Sequence, residues 1–285
     1  MNHPAELKVH QYLSNLRFGD STLSEETVEQ IVTDVRAALV RQFVQKQDQK
    51  FGLRMSNVGR DYCQLWFDKN EPEAAAGYST NFVINMMIGD IVEAVFKGLL
   101  TEAGVAYASG EKVVLKLKDS DVPGTPDLIM DNAVDDVKSA SPWSYENKFK
   151  DYDTLASDDS FGYVAQLAGY AKAMNLKAGG WWVINKANGE FKYVPATGID
   201  VDQEVSKIQQ LADEIKQNEF RRCYDAEPET YRKKETGNLV LGKECGWCKY
   251  RYKCWPGLQE RPSLVSRAEN PPMVSYVKIA DAKSD

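Results

Sequence analysis

A short antiparallel hairpin is the feature that most constrains the fold of this chain. Residues 126–130 and 133–139 both have strand character, and Asp131-Asn132 between them suits a two-residue turn. Side chains two residues apart share one face of a strand, so Asp136 and Lys138 are expected to point the same way. Asp127 is expected close to Asp136 across the hairpin. The segment therefore predicts two carboxylates and an ammonium group on one surface.

The patterns around this hairpin predict a mixed α/β core. Helical periodicity and capping signals predict helices, and alternating apolar residues predict further strands. The helices are expected at 22–45, 81–103, 161–176 and 201–220, with a short helix after Ser56, and the other strands at 112–118, 180–185 and 190–194. The expected regions are a helical N-terminal region (1–80), a core (81–220), a Cys-rich region (221–262) and a tail with few periodic cues (263–285).

Composition excludes several classes of enzyme. The only histidines are His3 and His10, which argues against Ser-His and Cys-His hydrolases and against His-ligated zinc hydrolases. The net charge is −7, which argues against a uniformly basic surface but leaves local nucleic-acid binding open. No apolar run is long enough to span a membrane and no secretory signal is visible, so we expect a cytoplasmic protein with reduced cysteines.

The acidic residues of the hairpin suit a divalent cation. Mg²⁺ prefers oxygen ligands, and a bound metal ion lowers the pKa of its water. Glu93, four residues after Gly89 on a predicted helix, is a candidate third carboxylate. Gln166 and Tyr170 are also four residues apart and share a helix face. Each residue alone is commonplace, and only the ordered set points to catalysis.

This ordered set resembles the RecB-like branch of the PD-(D/E)XK nuclease superfamily. The corresponding pairs, in chain order, are Gly89/Glu93, Gly124/Asp127, Asp136/Lys138 and Gln166/Tyr170. The resemblance implies a restriction-endonuclease-like mixed sheet flanked by helices, with Mg²⁺ or Mn²⁺ held by Glu93, Asp127 and Asp136. It also implies that Lys138 assists the attacking water, and that Gln166 and Tyr170 contact the DNA backbone or steady the site. Relatives often carry His where this chain has Glu93.

The cysteines predict a second metal site. Cys245, Cys248 and Cys254 form a C-x2-C-x5-C motif, and either Cys63 or Cys223 could supply a fourth thiolate. Four thiolates suit an iron–sulfur cluster, and they also suit zinc. RecB-like nucleases with a cluster, such as the CRISPR-associated exonucleases and the AddB helicase-nuclease subunit, place one Cys before the core and three after it. That resemblance implies a [4Fe–4S] cluster on Cys63, Cys245, Cys248 and Cys254, with Cys223 spare.

Basic and aromatic residues alternate around the last three cysteines. They either stack and pair with single-stranded nucleic acid or shield the cluster from water. The residues concerned are Lys243, Lys249, Arg251 and Lys253 with Trp247, Tyr250, Tyr252 and Trp255.

The resemblance implies a metal-dependent DNA exonuclease that acts on DNA ends or single strands. Its setting would be recombination, repair, phage replication or CRISPR spacer acquisition, with partner proteins from those pathways. Two alternatives remain at the level of sequence. One is a non-catalytic nucleic-acid-binding module built around a four-cysteine zinc or iron–sulfur site, and the other is a redox-sensing regulator.

Overall fold

The structure is a computed structural model that describes residues 3–44, 50–77 and 79–280. The chain forms two compact units. The first comprises Met1–Gly59 and Ser79–Ala212, and the second comprises Arg60–Tyr78 and Asp213–Asp285. Among the described residues, no helix combines the length and the apolar character needed to cross a membrane.

The described residues form a mixed α/β structure. The helices are α1 (Pro4–Phe18), α2 (Glu25–Leu39), α3 (Tyr62–Asn70), α4 (Thr80–Glu102), α5 (Tyr152–Ser157), α6 (Tyr163–Met174), α7 (Val201–Gln217), α8 (Lys243–Gly246) and α9 (Arg251–Cys254). The strands are β1 (Val113–Lys116), β2 (Asp121–Gly124), β3 (Leu128–Met130), β4 (Ala133–Ala140), β5 (Lys177–Asn185), β6 (Phe191–Pro195), β7 (Glu227–Tyr231), β8 (Lys234–Val240), β9 (Gln259–Pro262) and β10 (Met273–Lys278).

The first unit is organised around a four-stranded mixed sheet. Its strand order is β3-β4-β5-β6, with β4 and β5 parallel and the two outer pairs antiparallel. The crossover from β4 to β5 contains α5 and α6, as a parallel pair requires. Buried apolar side chains from α1, α4 and all four strands form one core; they are Ala5, Val9, Phe96, Leu100, Leu128, Met130, Val137, Trp182 and Phe191. Burial of this apolar surface is the main stabilising contribution to the unit.

The hairpin predicted at 126–139 is confirmed. Strands β3 and β4 are antiparallel, with Met130 opposite Ala133 and Leu128 opposite Asp135. Asp131 and Asn132 have φ angles of 47° and 65°. Asp and Asn tolerate this left-handed conformation better than most residues, and it gives the turn the twist of the flanking strands.

The second unit contains the cysteine-rich segment and an antiparallel sheet. The strand order of the sheet is β7-β8-β10-β9. A small apolar cluster joins Phe67 of α3 to Cys248 and Tyr250, and the rings of Phe67 and Tyr250 stack with centroids 5.0 Å apart. This contact explains why α3 belongs with the C-terminal segment and not with the helices that precede it.

The division into units differs from the four consecutive regions expected from the sequence. Residues 1–80 were expected to form one helical region, but they divide between the two units at Gly59. The tail from residue 263 onward has few periodic cues in its sequence, yet it contains β10, which pairs with both β8 and β9. Tyr276 in β10 is 1% exposed and donates a hydrogen bond to Glu229 at 2.8 Å, which fixes the strand in its sheet.

Helix boundaries also differ from expectation. The helix expected at 22–45 begins at Glu25, because the side chain of Ser24 accepts a hydrogen bond from the Thr27 N–H and caps it. Its α-helical part ends at Leu39 and continues as a π-helical turn over Val40–Val44, while Gln45 lies outside the described residues. The helix expected after Ser56 begins only at Tyr62. Helix α1 and strand β2 were not predicted.

Gly124 is held in a tight space, whereas Gly89 is not. A Cβ atom on Gly124 would lie 2.5 Å from Met55 Cγ and 2.8 Å from Tyr170 Cε1. At Gly89, by contrast, a Cβ atom would meet Ser139 Oγ at 3.7 Å, which is ordinary contact. Of these two glycines, packing therefore requires Gly124, which lies three residues before Asp127.

These contacts predict opposite effects for two alanine substitutions. Gly124→Ala should lower the free energy of unfolding by roughly 1–3 kcal/mol, because Met55 and Tyr170 are buried and cannot withdraw freely. Gly89→Ala is the matched control and should be neutral or stabilising by up to about 1 kcal/mol, since alanine favours helix. Urea denaturation of both variants measures the difference, and equal stability of the two would contradict the prediction.

Candidate functional site

The hairpin brings three of the predicted residues into contact. The carboxyl groups of Asp127 and Asp136 share a hydrogen bond, and Asp136 forms an ion pair with Lys138. The Val137 N–H donates to Asp127 Oδ2 at 2.9 Å and fixes that carboxyl group across the hairpin. Asp136 is 3% exposed, so the pair lies in a region of low dielectric.

Burial and mutual repulsion set the charge state of this group. Burial, followed by the charge of Asp136, raises the pKa of Asp127 to about 6. Burial likewise raises the pKa of Asp136. For Lys138 burial acts to lower the pKa, but the two aspartates outweigh it and the pKa is raised. Lys138 is therefore a firmly protonated cation, and both carboxyl groups keep a proton to a higher pH than an exposed aspartate does.

Glu93 lies within electrostatic range of both aspartates. Burial, and then the charge of Asp127, raises its pKa. Its Oε1 atom accepts a hydrogen bond from Lys97 at 2.5 Å on the next turn of α4. Lys97 was not predicted as part of the site, although its position four residues after Glu93 places it on the same helix face.

Gln166 and Tyr170 stand beside this group on α6. The Tyr170 hydroxyl donates to the Thr125 carbonyl at 2.9 Å, and its ring is 4% exposed. Gln166 and Tyr170 also form a side-chain hydrogen bond. The bond from Tyr170 holds the loop between β2 and β3 that carries Asp127, while the expected roles of the pair, DNA contact or steadying of the site, stay a prediction.

A groove in the first unit opens onto the same residues. It has an empty volume of about 2800 Å³, including the part open to solvent, and α2 and α4 form much of its wall. Glu93, Asp127, Gln166 and Tyr170 all line it. Solvent therefore reaches Asp127 and Glu93 through the groove, whereas Asp136 and Lys138 do not line it.

The three carboxylates do not form a complete coordination shell. Across residues 3–44, 50–77 and 79–280, no group of three or more His, Cys, Asp or Glu side chains is arranged to hold a metal ion. Glu93 pairs with Lys97 instead of converging with the aspartates. The metal set of Glu93, Asp127 and Asp136 thus stays a prediction.

Asp135 is expected to make the stability of the protein depend on pH. It is 1% exposed, and the Tyr193 hydroxyl donates to its Oδ1 atom at 2.8 Å. Burial raises the pKa of Asp135 to about 7 despite that hydrogen bond. Between about pH 4 and pH 7 the folded protein keeps a proton that the unfolded chain releases. The contribution of Asp135 to stability is therefore expected to fall as pH rises through this window and to level off above it.

Urea unfolding at pH 5 and pH 8, without divalent cations, measures this effect. The wild-type protein should lose on the order of a few kcal/mol more than Asp135→Asn, whose amide does not titrate. Because other carboxyl groups also titrate, the relevant quantity is the difference between the two proteins. An identical pH dependence in both would refute the assignment.

The four cysteines predicted to bind a cluster line one cavity of the second unit. Cys63, Cys245, Cys248 and Cys254 surround a space of about 310 Å³, including the part open to solvent. Burial raises the pKa of Cys245 to about 11 and also raises those of Cys248 and Cys254. These three thiols are therefore neutral without a metal ion.

Cys223, expected to be spare, lies against Cys63. The Cys63 N–H donates to Cys223 Sγ at 3.2 Å. A hydrogen bond from the Cys63 thiol lowers the pKa of Cys223 to about 7, and the same contact raises that of Cys63. Both candidates for the fourth thiolate are thus at the cysteine cluster (Cys63, Cys223, Cys245, Cys248 and Cys254).

The basic and aromatic surface expected around these cysteines is largely neutralised. Lys249, Arg251 and Lys253 pair with Asp68, Glu260 and Glu71 at 2.6, 2.9 and 2.6 Å. Tyr250 is fully buried, while Trp247 is 86% exposed. The acidic partners of the two lysines lie on or next to α3, far away in sequence, and Glu260 of β9 pairs with Arg251; these partners account for the difference from expectation.

Comparisons with known proteins give little. No family model and no curated protein sequence matches this chain. Among solved structures, one titled "Crystal structure of SSO0001" is similar, with 10% sequence identity and a TM-score of 0.41, over 80% of this chain and 96% of that one. That degree of similarity carries no argument about function.

Proposed function

We propose that this protein is a Mg²⁺- or Mn²⁺-dependent deoxyribonuclease that degrades DNA from its ends. The observation that carries the proposal is the contact among Asp127, Asp136 and Lys138 on one buried hairpin. Removing a cation and carboxylates from water costs desolvation free energy. Groups with pKa values shifted in this way cluster at functional sites. The order of the motifs along the chain supports the same conclusion.

The sheet supports a restriction-endonuclease-like core as the finer fold assignment. An antiparallel hairpin is followed by a helical crossover to a parallel strand and then by an antiparallel edge strand. The acidic residues sit on the first hairpin, and α6 from the crossover carries Gln166 and Tyr170.

The donor chemistry fits a hard divalent ion. Asp127 and Asp136 would hold it, and Glu93 would join them if it released Lys97. When bound, such an ion supplies an activated water and neutralises charge on the scissile phosphate. Lys138 would hold its ammonium group toward the attacking water and the phosphate oxygens. Tyr170 would keep the Asp127 loop in place through Thr125.

The four cysteines that line the thiol cavity are the donor type that a thiolate-bound metal group requires. We assign the cavity a [4Fe–4S] cluster on Cys63, Cys245, Cys248 and Cys254, with zinc as the rival occupant. Either occupant would require the neutral thiols to lose protons on loading. These ligands would link α3 to the segment beyond residue 243 and restrict the unfolded chain. The cluster is thus assigned a structural role.

The test is cleavage of end-labelled linear DNA and of covalently closed circular DNA by anaerobically purified protein. We expect degradation of the linear DNA with Mg²⁺ or Mn²⁺, intact circles, and no cleavage with EDTA. Cutting of the circles would indicate an endonuclease. Binding of DNA without cleavage under any metal condition would replace the proposal with a non-catalytic binding module.

A further inference from the structure

A stack of aromatic rings leads from Lys138 to the surface of the first unit. The Lys138 ammonium lies 4.9 Å from the centroid of the Tyr163 ring. The Phe161 ring lies 5.6 Å from Tyr163 and is nearly parallel to it, at 14°. Phe149 stacks on Tyr163 at 5.7 Å and is 2% exposed, whereas Phe161 is 62% exposed. We call these three residues the aromatic stack.

The outer ring of the stack is held in place by its backbone. Both carboxylate oxygens of Asp159 accept hydrogen bonds, from the Tyr163 and Val164 N–H groups at 2.9 and 2.8 Å. Gly162 has a φ of 72°, a conformation that suits glycine, and it packs directly against Gly59. Phe161 is therefore presented on a fixed turn, which reduces the entropy lost when a ligand binds.

A cation accompanies the rings. The ammonium group of Lys148 lies 5.0 Å from the Phe161 centroid and 5.2 Å from that of Tyr163. Two lysines thus border the aromatic stack. Lys148 lies against Phe161 and Tyr163, and Lys138 lies against Tyr163. Aromatic rings beside cations are how proteins bind single-stranded nucleic acid, since bases stack and phosphates meet positive charge.

We propose that the aromatic stack is the binding site for an unpaired nucleobase, which stacks on the exposed face of Phe161. The strand then continues from Phe161 past Tyr163, so that its phosphate meets Lys138. This inference rests on the proposed function and narrows its substrate to single-stranded DNA or to frayed ends. A base inside a duplex is already stacked on its neighbours, and it would have to leave the helix to occupy the site.

The test measures binding of a single-stranded oligonucleotide that contains the fluorescent base 2-aminopurine, without added divalent cation. We expect its fluorescence to be quenched by the wild-type protein and by Phe161→Trp, which keeps an aromatic ring. Phe161→Leu should lose the quenching and weaken binding about tenfold, the scale of one base–aromatic contact. The wild-type protein and Phe161→Leu should bind a blunt duplex with equal affinity.

Phe18→Leu is the matched control, since Phe18 is 71% exposed on the same unit at the end of α1. It should bind as the wild type does. The inference is overturned if Phe161→Leu retains quenching and affinity, if Phe18→Leu loses as much, or if the wild type binds no single strand. Quenching that depends on Phe161 without cleavage in any metal would remove the nuclease proposal and keep the stacking site. If Phe161→Leu cleaves single strands as fast as the wild type does, the nuclease proposal stands and the stacking site is removed.

Discussion

Asp136→Asn is expected to reduce metal-dependent DNA cleavage by roughly 10³-fold or more. The substitution keeps the shape of the side chain but removes the negative charge of the buried Asp136 carboxylate, which lies against Asp127. Asparagine is a weaker ligand for Mg²⁺, and it carries no negative charge toward Lys138. Single-turnover cleavage of end-labelled DNA measures the loss, and DNA binding without divalent cation should be retained.

Lys138→Met removes the ammonium group and leaves the carboxyl groups of Asp127 and Asp136 without their cation. It should also lower the cleavage rate by roughly 10²- to 10⁴-fold. Lys172→Met is the matched control, because Lys172 forms an exposed ion pair with Asp202 on the same unit. Lys138→Met with wild-type activity, or an equal loss in both variants, would exclude Lys138 from the reaction.

Cys248→Ser is expected to remove the metal group and unfold much of the second unit. Cys248 is 9% exposed and packs against Phe67 and Tyr250, so its loss affects both the thiol cavity and the apolar cluster. A metal group that binds only the folded chain stabilises the fold by its binding free energy. We therefore expect the free energy of unfolding of this unit to fall by roughly several kcal/mol. Visible absorbance, iron and zinc analysis, and thermal unfolding measure the outcome.

A pair of serine variants identifies the fourth ligand. If Cys63 binds the cluster, Cys63→Ser should lose iron while Cys223→Ser keeps about four iron atoms per chain. The reverse result would make Cys223 the ligand, which their contact at 3.2 Å permits. A colourless wild-type protein with stoichiometric zinc would replace the iron–sulfur assignment.

Much of the first unit could be predicted because its signals are local. The turn at Asp131-Asn132 depends on two residues that accept positive φ, and the alternation along 133–139 fixes which side chains share a face. These two facts are enough to bring Asp127, Asp136 and Lys138 together.

The features that were missed depend on contacts distant in sequence. Strand β10 is stabilised by the hydrogen bond from Tyr276 to Glu229, which lies 47 residues earlier and is not visible in the local pattern. Lys249 and Lys253 seemed to be open cations, but their acidic partners are on or beside α3. The aromatic stack was also not predicted, because Phe161 and Tyr163 resemble apolar residues at the start of a helix.

The second unit is assembled from residues 60–78 and 213–285, which has a consequence for biosynthesis. During translation, α3 leaves the ribosome long before its partners Cys248 and Tyr250 exist. Phe67 must then stay uncovered while the intervening chain is made, and exposed apolar surface of this kind favours aggregation and chaperone binding. Nascent chains halted before residue 240 should therefore expose the apolar face of α3 around Phe67, which Cys248 and Tyr250 cover in the completed protein.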